Sequence, residues 1–175
     1  MIADIASDAA LAPGQPGEIC LRGPLVMKGY LNRPEETAQA IGAEGWLHTG
    51  DVGIADADGW LTVVDRLKEL IKYKAFQVAP AELEAILLSH PSVDDAAIIP
   101  SPDAEAGEVP KAFVVLRADA TPQELMVFVA ERVTPYKKVR RIEFVEAIPK
   151  SAAGKILRRV LVERERASMA ELVLA

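Results

Sequence analysis

The hydrophobic pattern of the chain changes at Asp65, and this change limits the folds that are open to it. Before Asp65, short alternating segments are separated by turn residues, and the Asp58-Gly59 pair is a clear hairpin signal. After Asp65, strand-like segments alternate with helix-like ones. The sequence therefore predicts an α+β fold in two parts. Residues 1–64 form a β-rich part too small to close a sheet alone, and residues 65–175 form a small α/β domain with a mixed sheet and about three helices.

Turn residues and hydrophobic spacing predict the individual elements. Thr121-Pro122-Gln123-Glu124 matches a capping box with proline at the first helical position, so a helix should begin there. The other predictions are strands at 17–22, 67–74, 96–99, 111–116 and 140–145, a bend at 75–79, and helices at 34–41, 80–90 and 154–166.

Composition excludes several classes of protein. Half of the residues are hydrophobic and 26% are charged, yet no apolar run reaches the ~18 residues that a membrane span needs. Cys20 is the single cysteine, best interpreted as a small buried hydrophobe, and the first residues do not resemble a secretory leader. These observations favour a cytoplasmic protein. Residues 132–166 are basic although the net charge is −6, but they lack the interleaved aromatics of a nucleic-acid binder.

A lysine-rich stretch follows Asp65. Strict alternation over Ile71-Lys72-Tyr73-Lys74 predicts a strand in which Lys72 and Lys74 share one face. Two parallel ammonium groups suit an anionic ligand such as a polyphosphate. A solvated strand face is the alternative for a lysine pair taken alone.

Three ordered segments resemble motifs of the adenylate-forming enzymes. This family includes acyl-CoA synthetases, 4-coumarate–CoA ligases, firefly-type luciferases and peptide-synthetase adenylation domains. The segments are GWLHTGD at 45–51, DRLKELIKYKAFQVAPAELE at 65–84 and PKSAAGKILRR at 149–159. The 4-coumarate–CoA ligase and fatty-acyl-CoA ligase branch is the most similar. The resemblance implies ATP-dependent conversion of a carboxylate into acyl-AMP and then acyl-CoA, as in fatty acid metabolism.

The resemblance also implies roles for individual residues. Lys155 would neutralise charge on the carboxylate and the α-phosphate while acyl-AMP forms, and rotation about a hinge at Asp65 would then bring another face to the AMP. The implied assignments are catalytic for Lys155, Lys72 and Gln77, nucleotide-binding for Asp51, Arg66 and Lys68, and coenzyme A-binding for Lys74 and Ala75. Simpler interpretations are a surface lysine at 155, an Asx turn at 51 and a local ion pair between Asp65 and Arg66.

Two residues depart from the family pattern. Ala75 stands where glycine is usual beside the thiol tunnel, so its methyl group would crowd the thiol or demand different backbone angles. Ala153 stands where serine is common before the Gly-Lys pair. The thioester step is therefore less strongly implied than adenylation.

The family's Gly/Ser/Thr-rich phosphate loop and its acyl pocket do not occur in this sequence. We therefore expect a C-terminal fragment that is inactive alone and needs an N-terminal adenylation domain, which would hold the Mg²⁺ that accompanies ATP. No metal-binding residues are assigned to this chain, and coenzyme A is the expected co-substrate. The alternatives are a domain that loads a carrier protein, and a non-catalytic interaction module that retains the fold.

Overall fold

The computed structural model describes the backbone of residues 1–174 and the side chains of residues 1–169. It forms two compact units, the first spanning Met1–Lys68 and the second beginning at Glu69. Each unit has its own sheet. Among the described residues, one α-helix belongs to the first unit and three belong to the second. The predicted α+β class is confirmed.

The first unit is built on a four-stranded antiparallel sheet in the order β1-β2-β3-β4. A turn at Asp56 links the last two strands, because its Oδ1 accepts from the backbone N–H groups of Asp58 (3.0 Å) and Trp60 (2.8 Å). This is the predicted hairpin. The elements are β1 (Ile2–Ala3), β2 (Pro16–Leu21), α1 (Pro34–Ala40), β3 (Leu47–Ala55) and β4 (Leu61–Arg66). The strand predicted at 17–22 and the helix predicted at 34–41 are thereby confirmed.

The second unit has a five-stranded mixed sheet. The strand order is β6-β5-β8-β7, and β9 pairs with β8 in parallel while all the other pairs are antiparallel. The strands are β5 (Ile71–Tyr73), β6 (Phe76–Val78), β7 (Val93–Asp103), β8 (Gly107–Leu116) and β9 (Arg141–Phe144). The predicted strands at 96–99, 111–116 and 140–145 lie within or largely overlap β7, β8 and β9.

Three helices flank this sheet: α2 (Pro80–Leu88), α3 (Pro122–Ala130) and α4 (Arg158–Leu174). Helix α3 begins at the predicted capping box. Thr121 Oγ1 accepts from the N–H of Glu124 at 3.2 Å, and Glu124 Oε2 accepts from the N–H of Thr121 at 2.7 Å. The bond from the Thr121 N–H, together with one from the Thr121 hydroxyl to the same Glu124 oxygen at 2.9 Å, holds the pKa of Glu124 below its usual value.

Strand alternation divides the core of the second unit between the two faces of the sheet. Ile98 and Val114 point to one face, where α2 and α3 contribute Leu83, Leu87, Leu125 and Val129. Their neighbours Ile99 and Phe113 point to the other face, where Leu161 of α4 covers them. Both faces are buried, which explains the apolar runs at 96–100 in β7 and 112–116 in β8.

A group of polar side chains lies between the sheet and α4, and we call it the buried charge cluster: Ser101, Lys111, Arg141, Glu143 and Glu165. Lys111 Nζ donates to Glu143 Oε2 at 2.8 Å and to Glu165 Oε2. Ser101 Oγ donates to Glu165 Oε1 at 2.6 Å. Arg141 donates to Ser101 Oγ at 2.5 Å. The cluster therefore ties α4 to β7, β8 and β9.

The pKa values in the buried charge cluster reflect two opposing influences. Burial is the largest influence on Lys111 and lowers its pKa, but hydrogen bonds to Glu143 and Glu165 outweigh it, so the pKa lies above its usual value. Burial likewise raises the pKa of Glu165, but hydrogen bonds from Lys111 and Ser101 outweigh it, so this pKa lies below its usual value. Both groups are stabilised in their charged forms.

Four predicted elements were wrong in extent. Residues 67–74 do not form one strand, because a 3-10 turn at Leu67–Glu69 precedes β5. The predicted bend at 75–79 contains strand β6, which pairs with β5 as a hairpin. Helix α4 begins at Arg158 and not at Gly154, because residues 149–157 close into a loop of their own. Helix α2 ends at Leu88, two residues before the predicted end.

Candidate functional site

The Thr49-Gly50-Asp51 motif lies inside strand β3 and does not form the Asx turn of the simpler interpretation. Glu18, on the neighbouring strand β2, accepts from the N–H of Gly50 through Oε1 at 2.9 Å. Thr49 Oγ1 donates to the carbonyl of Ile19 at 2.8 Å and accepts from the N–H of Asp51 at 3.1 Å. Gly50 has φ +72°, a conformation that glycine adopts without strain. The motif is thus a distorted strand segment fixed by buried Glu18.

Asp51 and Arg66, both predicted to bind the nucleotide, are directly opposite each other on β3 and β4. Arg66 Nε lies 3.0 Å from Asp51 Oδ1. The arginine side chain is 67% exposed and the aspartate 32% exposed, so both remain accessible from solvent. A carboxylate oriented in this way can accept hydrogen bonds from vicinal hydroxyl groups such as those of a ribose.

Asp65, the predicted hinge, is a buried residue of β4. Its Oδ1 accepts from the N–H of Arg66 at 2.7 Å. The guanidinium of Arg66 pairs with Asp51 across the two strands. Lys68, the third predicted nucleotide-binding residue, is exposed in the 3-10 turn that follows β4.

Sequence reasoning missed Glu18 and its contacts with the Thr-Gly-Asp motif and with His48. Glu18 Oε2 lies 2.9 Å from His48 Nδ1, and Cys20 Sγ lies 3.6 Å from the same nitrogen. Asp8 Oδ2 lies 3.7 Å from His48 Nε2. Cys20 is fully buried as predicted, and its pKa is raised by burial first and then by the charges of Glu18 and Asp8. This grouping stabilises the thiol over the thiolate and gives His48 a structural role next to the Thr-Gly-Asp motif.

Lys72 and Gln77 face each other across the β5–β6 hairpin in the second unit. They form a register pair, so both side chains project from the same face of the hairpin. Both are exposed, and among the described residues no ion pair involves Lys72. The backbone N–H of Lys72 donates to Glu108 Oε2 at 2.8 Å, which fixes the hairpin against β8.

Lys74 and Ala75 form the two-residue loop of this hairpin, so Lys74 is not the strand residue that the alternation predicted. Lys74 has φ +53°, and its Nζ lies 2.9 Å from Glu105 Oε1. The alternation of side chains along a strand therefore does not apply to Lys74, and its side chain is not placed on the same face as that of Lys72. Among the described non-glycine residues, positive φ occurs at Asp8, Asn32 and Lys74 but not at Ala75. Ala75 therefore does not have the left-handed backbone conformation that would be strained for an alanine and that glycine adopts freely.

Lys155 lies near the end of a loop at 149–157, which we call the Lys155 loop. Ser151 and Lys155 bind each other twice, from Ser151 N–H to the carbonyl of Lys155 (2.8 Å) and from Lys155 N–H to Ser151 Oγ (3.2 Å). Gly154, at φ +77°, completes the turn. Lys155 is exposed, and within the described part of the chain no ion pair involves its ammonium group. Ala153 is exposed in the same turn.

The sequence of residues 82–155 matches the family described as the AMP-binding enzyme C-terminal domain. A 4-coumarate–CoA ligase from Pinus taeda is 57% identical over 93% of this chain and 30% of its own length. The chain belongs to the adenylate-forming enzymes. It corresponds to their C-terminal part and spans about 30% of the length of the curated relatives that it matches.

Solved structures of adenylate-forming enzymes share the fold. ATP-bound MatB from Rhodopseudomonas palustris superposes with a TM-score of 0.87 at 30% identity, over 93% of this chain and 33% of that one. The o-succinylbenzoate CoA synthetase of Bacillus subtilis, in complex with an acyl-adenylate intermediate, gives a TM-score of 0.80 at 36% identity, over 92% of this chain and 33% of that one.

None of the helices that the structure describes is long and apolar enough to cross a membrane.

Proposed function

We propose that this chain is the C-terminal part of an ATP-dependent acyl-CoA synthetase. In the proposed reaction, a carboxylate attacks the α-phosphate of ATP to give acyl-AMP and pyrophosphate, and the thiol of coenzyme A then displaces AMP to give acyl-CoA. The observation that carries this proposal is the state of Lys155. Its ammonium is exposed and has no ion-pair partner in the described part of the chain, although it lies on a loop closed by backbone hydrogen bonds.

A cation of this kind suits the adenylation step. Negative charge builds up on the oxygens around the α-phosphorus in the transition state, and a cation already fixed in position stabilises that charge with little reorganisation. An ammonium engaged in an internal ion pair would first have to lose its partner. Lys155 has no such partner among the described residues, so it is available to a ligand.

The other predicted residues fit the second half-reaction. Lys72 and Gln77 share an exposed face that differs from the Lys155 loop, and we propose that rotation about Asp65 brings this face to the AMP. Asp51, Arg66 and Lys68 would hold the nucleotide. Lys74 and Ala75, in the loop of the β5–β6 hairpin, would contact the end of coenzyme A that carries the thiol.

The Mg²⁺ that accompanies ATP would be bound elsewhere. The described residues that could jointly hold a metal ion are Asp8, Cys20 and His48. A thiol and an imidazole are poor ligands for Mg²⁺, which prefers oxygen. We therefore assign the Mg²⁺ to an N-terminal adenylation domain, which would also supply the phosphate loop and the acyl pocket. We propose that this chain does not form acyl-AMP without that domain.

A chimera tests the proposal. This chain would replace the equivalent C-terminal part of the Pinus taeda 4-coumarate–CoA ligase, and pyrophosphate and acyl-CoA would be measured with 4-coumarate, ATP and coenzyme A. We expect activity in the chimera and none in the chain alone. Lys155→Ala should lower acyl-adenylate formation by about 10²–10³-fold, the usual effect of removing one fixed group that stabilises transition-state charge.

Arg159→Gln is the matched control for Lys155→Ala. Arg159 is a nearby cation whose side chain is 88% exposed and lies 3.5 Å from Glu163, and its loss should leave the rate unchanged. A folded chimera that makes no acyl-AMP would contradict the proposal and favour a non-catalytic interaction module. Acyl-AMP formation without transfer to coenzyme A would favour a carrier-loading domain.

A further inference from the structure

Two other cations lie close to Lys155 in the chain, Lys150 within the Lys155 loop and Arg158 directly after it, and the proposed reaction has no role for them. Lys150 pairs with Ile156 across the base of the loop, and the N–H of Leu157 donates to the carbonyl of Pro149 at 2.8 Å. Lys150 therefore lies at the beginning of one closed loop and Lys155 near its end, and Arg158 is the first residue after it. Their surroundings differ, and this difference distinguishes their functions.

Arg158, at the start of α4, is the most firmly held of the three. Its guanidinium donates through NH2 to Glu84 Oε2 at 2.6 Å and through NH1 to Glu69 Oε2. The Arg158 side chain is only 17% exposed, and that of Glu84 is 9% exposed. An arginine can bind two carboxylates at once because its donors form a rigid planar fork, whereas lysine presents a single ammonium.

One of the two carboxylates that bind Arg158 is itself held by the central sheet. Glu84 lies on α2, and its other oxygen, Oε1, accepts from the N–H of Ile98 in strand β7 at 2.8 Å. Glu69 is the first residue of the second unit. The exit of the Lys155 loop is thus connected through one guanidinium to α2, to the central sheet and to the segment that follows β4.

Lys150 makes a second, more exposed attachment. Its Nζ lies 2.5 Å from Asp95 Oδ2 on β7, and its side chain is 40% exposed. Surface ion pairs of this kind contribute little energy, so we assign most of the anchoring to Arg158. Lys155 lies between these two paired cations, and no ion pair involves it in the described part of the chain.

We propose that Arg158 is a positioning residue for Lys155. By holding the exit of the loop to Glu84 and Glu69, it fixes the backbone from which the Lys155 side chain extends, and the ammonium reaches the reacting phosphate without a search over loop conformations. This inference rests on the role proposed for Lys155 above. It assigns no contact with substrate to Arg158, whose NH1 and NH2 groups are directed at the two glutamates.

The first test uses the chain alone and measures amide hydrogen exchange by NMR. Arg158→Gln should accelerate exchange at the N–H groups of Gly154 and Leu157, which close the loop, by about tenfold or more. The N–H of Val114, in the sheet, should keep its rate because strand pairing does not depend on this anchor. Arg159→Gln should change none of these rates.

Two further variants keep the test decisive if Arg158→Gln fails to fold. Arg158→Lys retains the charge but cannot bind both carboxylates, and Glu69→Gln weakens one of the two pairs, so each should accelerate loop exchange by less than Arg158→Gln. Unchanged loop exchange in these variants would overturn the proposal. Equal acceleration in the loop and at Val114 would also overturn it, because it would show a general loss of stability.

The second test separates the two half-reactions in the active chimera. Lys155 is proposed to act only in adenylation, so Arg158→Gln should lower the rate of acyl-AMP formation by about tenfold. Conversion of supplied acyl-AMP to acyl-CoA should keep its rate. An equal loss in both half-reactions would contradict a positioning role. The exchange measurement does not depend on activity, so failure of the proposed function and failure of this inference give different results.

Discussion

The Lys155 loop precedes α4, whereas the buried charge cluster includes Glu165, about two turns further along that helix, and the two sites use lysine in opposite ways. In the cluster, the Lys111 side chain is 11% exposed and is held by two glutamates, Glu143 and Glu165. In the loop, Lys155 is exposed, and the structure shows no ion pair for it among the residues it describes. Lys111 therefore stabilises the fold, whereas the ammonium group of Lys155 is exposed at the surface.

Removing one member of the buried charge cluster should have the largest effect. Glu165→Gln leaves Lys111 largely buried with one of its two carboxylate partners missing, and breaking a buried pair costs about 3–5 kcal/mol of the free energy of unfolding. Urea denaturation followed by circular dichroism would measure this change. Replacing both partners, as in Lys111→Met with Glu165→Leu, should cost less than Glu165→Gln alone. A loss below about 1 kcal/mol for Glu165→Gln would break the comparison, since the cluster would then resemble a surface pair.

The pH dependence of stability sharpens the same contrast. The pKa of Glu165 is below its ordinary value of 4.5, so its contribution is present above that pH and is lost as the pH falls through the folded-state pKa. The pKa of Lys111 is above its ordinary value of 10.5, so its contribution is present below that pH and is lost as the pH rises through the folded-state pKa. The free energy of unfolding, measured from pH 3 to pH 11, should therefore fall at both ends of the range.

The double variant Lys111→Met, Glu165→Leu provides the control for this pH profile. It lacks both titrating groups, so its free energy of unfolding should depend less steeply on pH at both ends. An identical profile in the two proteins would mean that other groups cause the loss of stability in acid and alkali.

A smaller effect is expected in the β5–β6 hairpin. Ala75 does not have positive φ, so Ala75→Gly adds chain entropy to the unfolded state without relieving strain. We expect a loss of about 0.4–1 kcal/mol in the free energy of unfolding, measured in urea, and an unchanged rate of the thioester step in the chimera. A faster thioester step would show that the alanine methyl group crowds the thiol.

The smallest effect on stability should come from the Lys155 loop. Lys155→Ala removes an exposed side chain that pairs with none of the described residues, so the free energy of unfolding should change by no more than about 0.5 kcal/mol. The same substitution is expected to abolish most of the adenylation activity. A stability loss comparable to that of Glu165→Gln would remove the distinction between the two lysines.

The sequence predicted the features that depend on near neighbours. The capping box at Thr121 and the turn at Asp56 are local, since their hydrogen bonds join residues a few positions apart. The proline that begins α2 is also a local signal, because its ring restricts its own backbone. The apolar segments at 96–99 and 111–116 were equally readable as strands. These local features were sufficient to predict the α+β class.

Features that depend on distant partners were not readable. Lys111 and Glu165 are 54 residues apart, and Arg158 and Glu84 are 74 residues apart. No spacing rule connects such pairs. Alternation also failed at Lys74, because positive φ in a two-residue loop ends the strand there. The motif resemblance selected Asp51 and Arg66, but only the register of β3 with β4 shows that they are opposite each other.

Strand β8 has a consequence for the rotation proposed about Asp65. The β5–β6 hairpin is attached to its first residue, Gly107, through Tyr73, while Lys111 in the middle of the same strand holds α4 through Glu165. A single strand thus serves as the common frame for both proposed working faces. Because both faces are attached to this strand, the sheet fixes the distance between them. We therefore expect the second unit to move as a rigid body, and the proposed rotation would exchange one face for the other through a fixed angle.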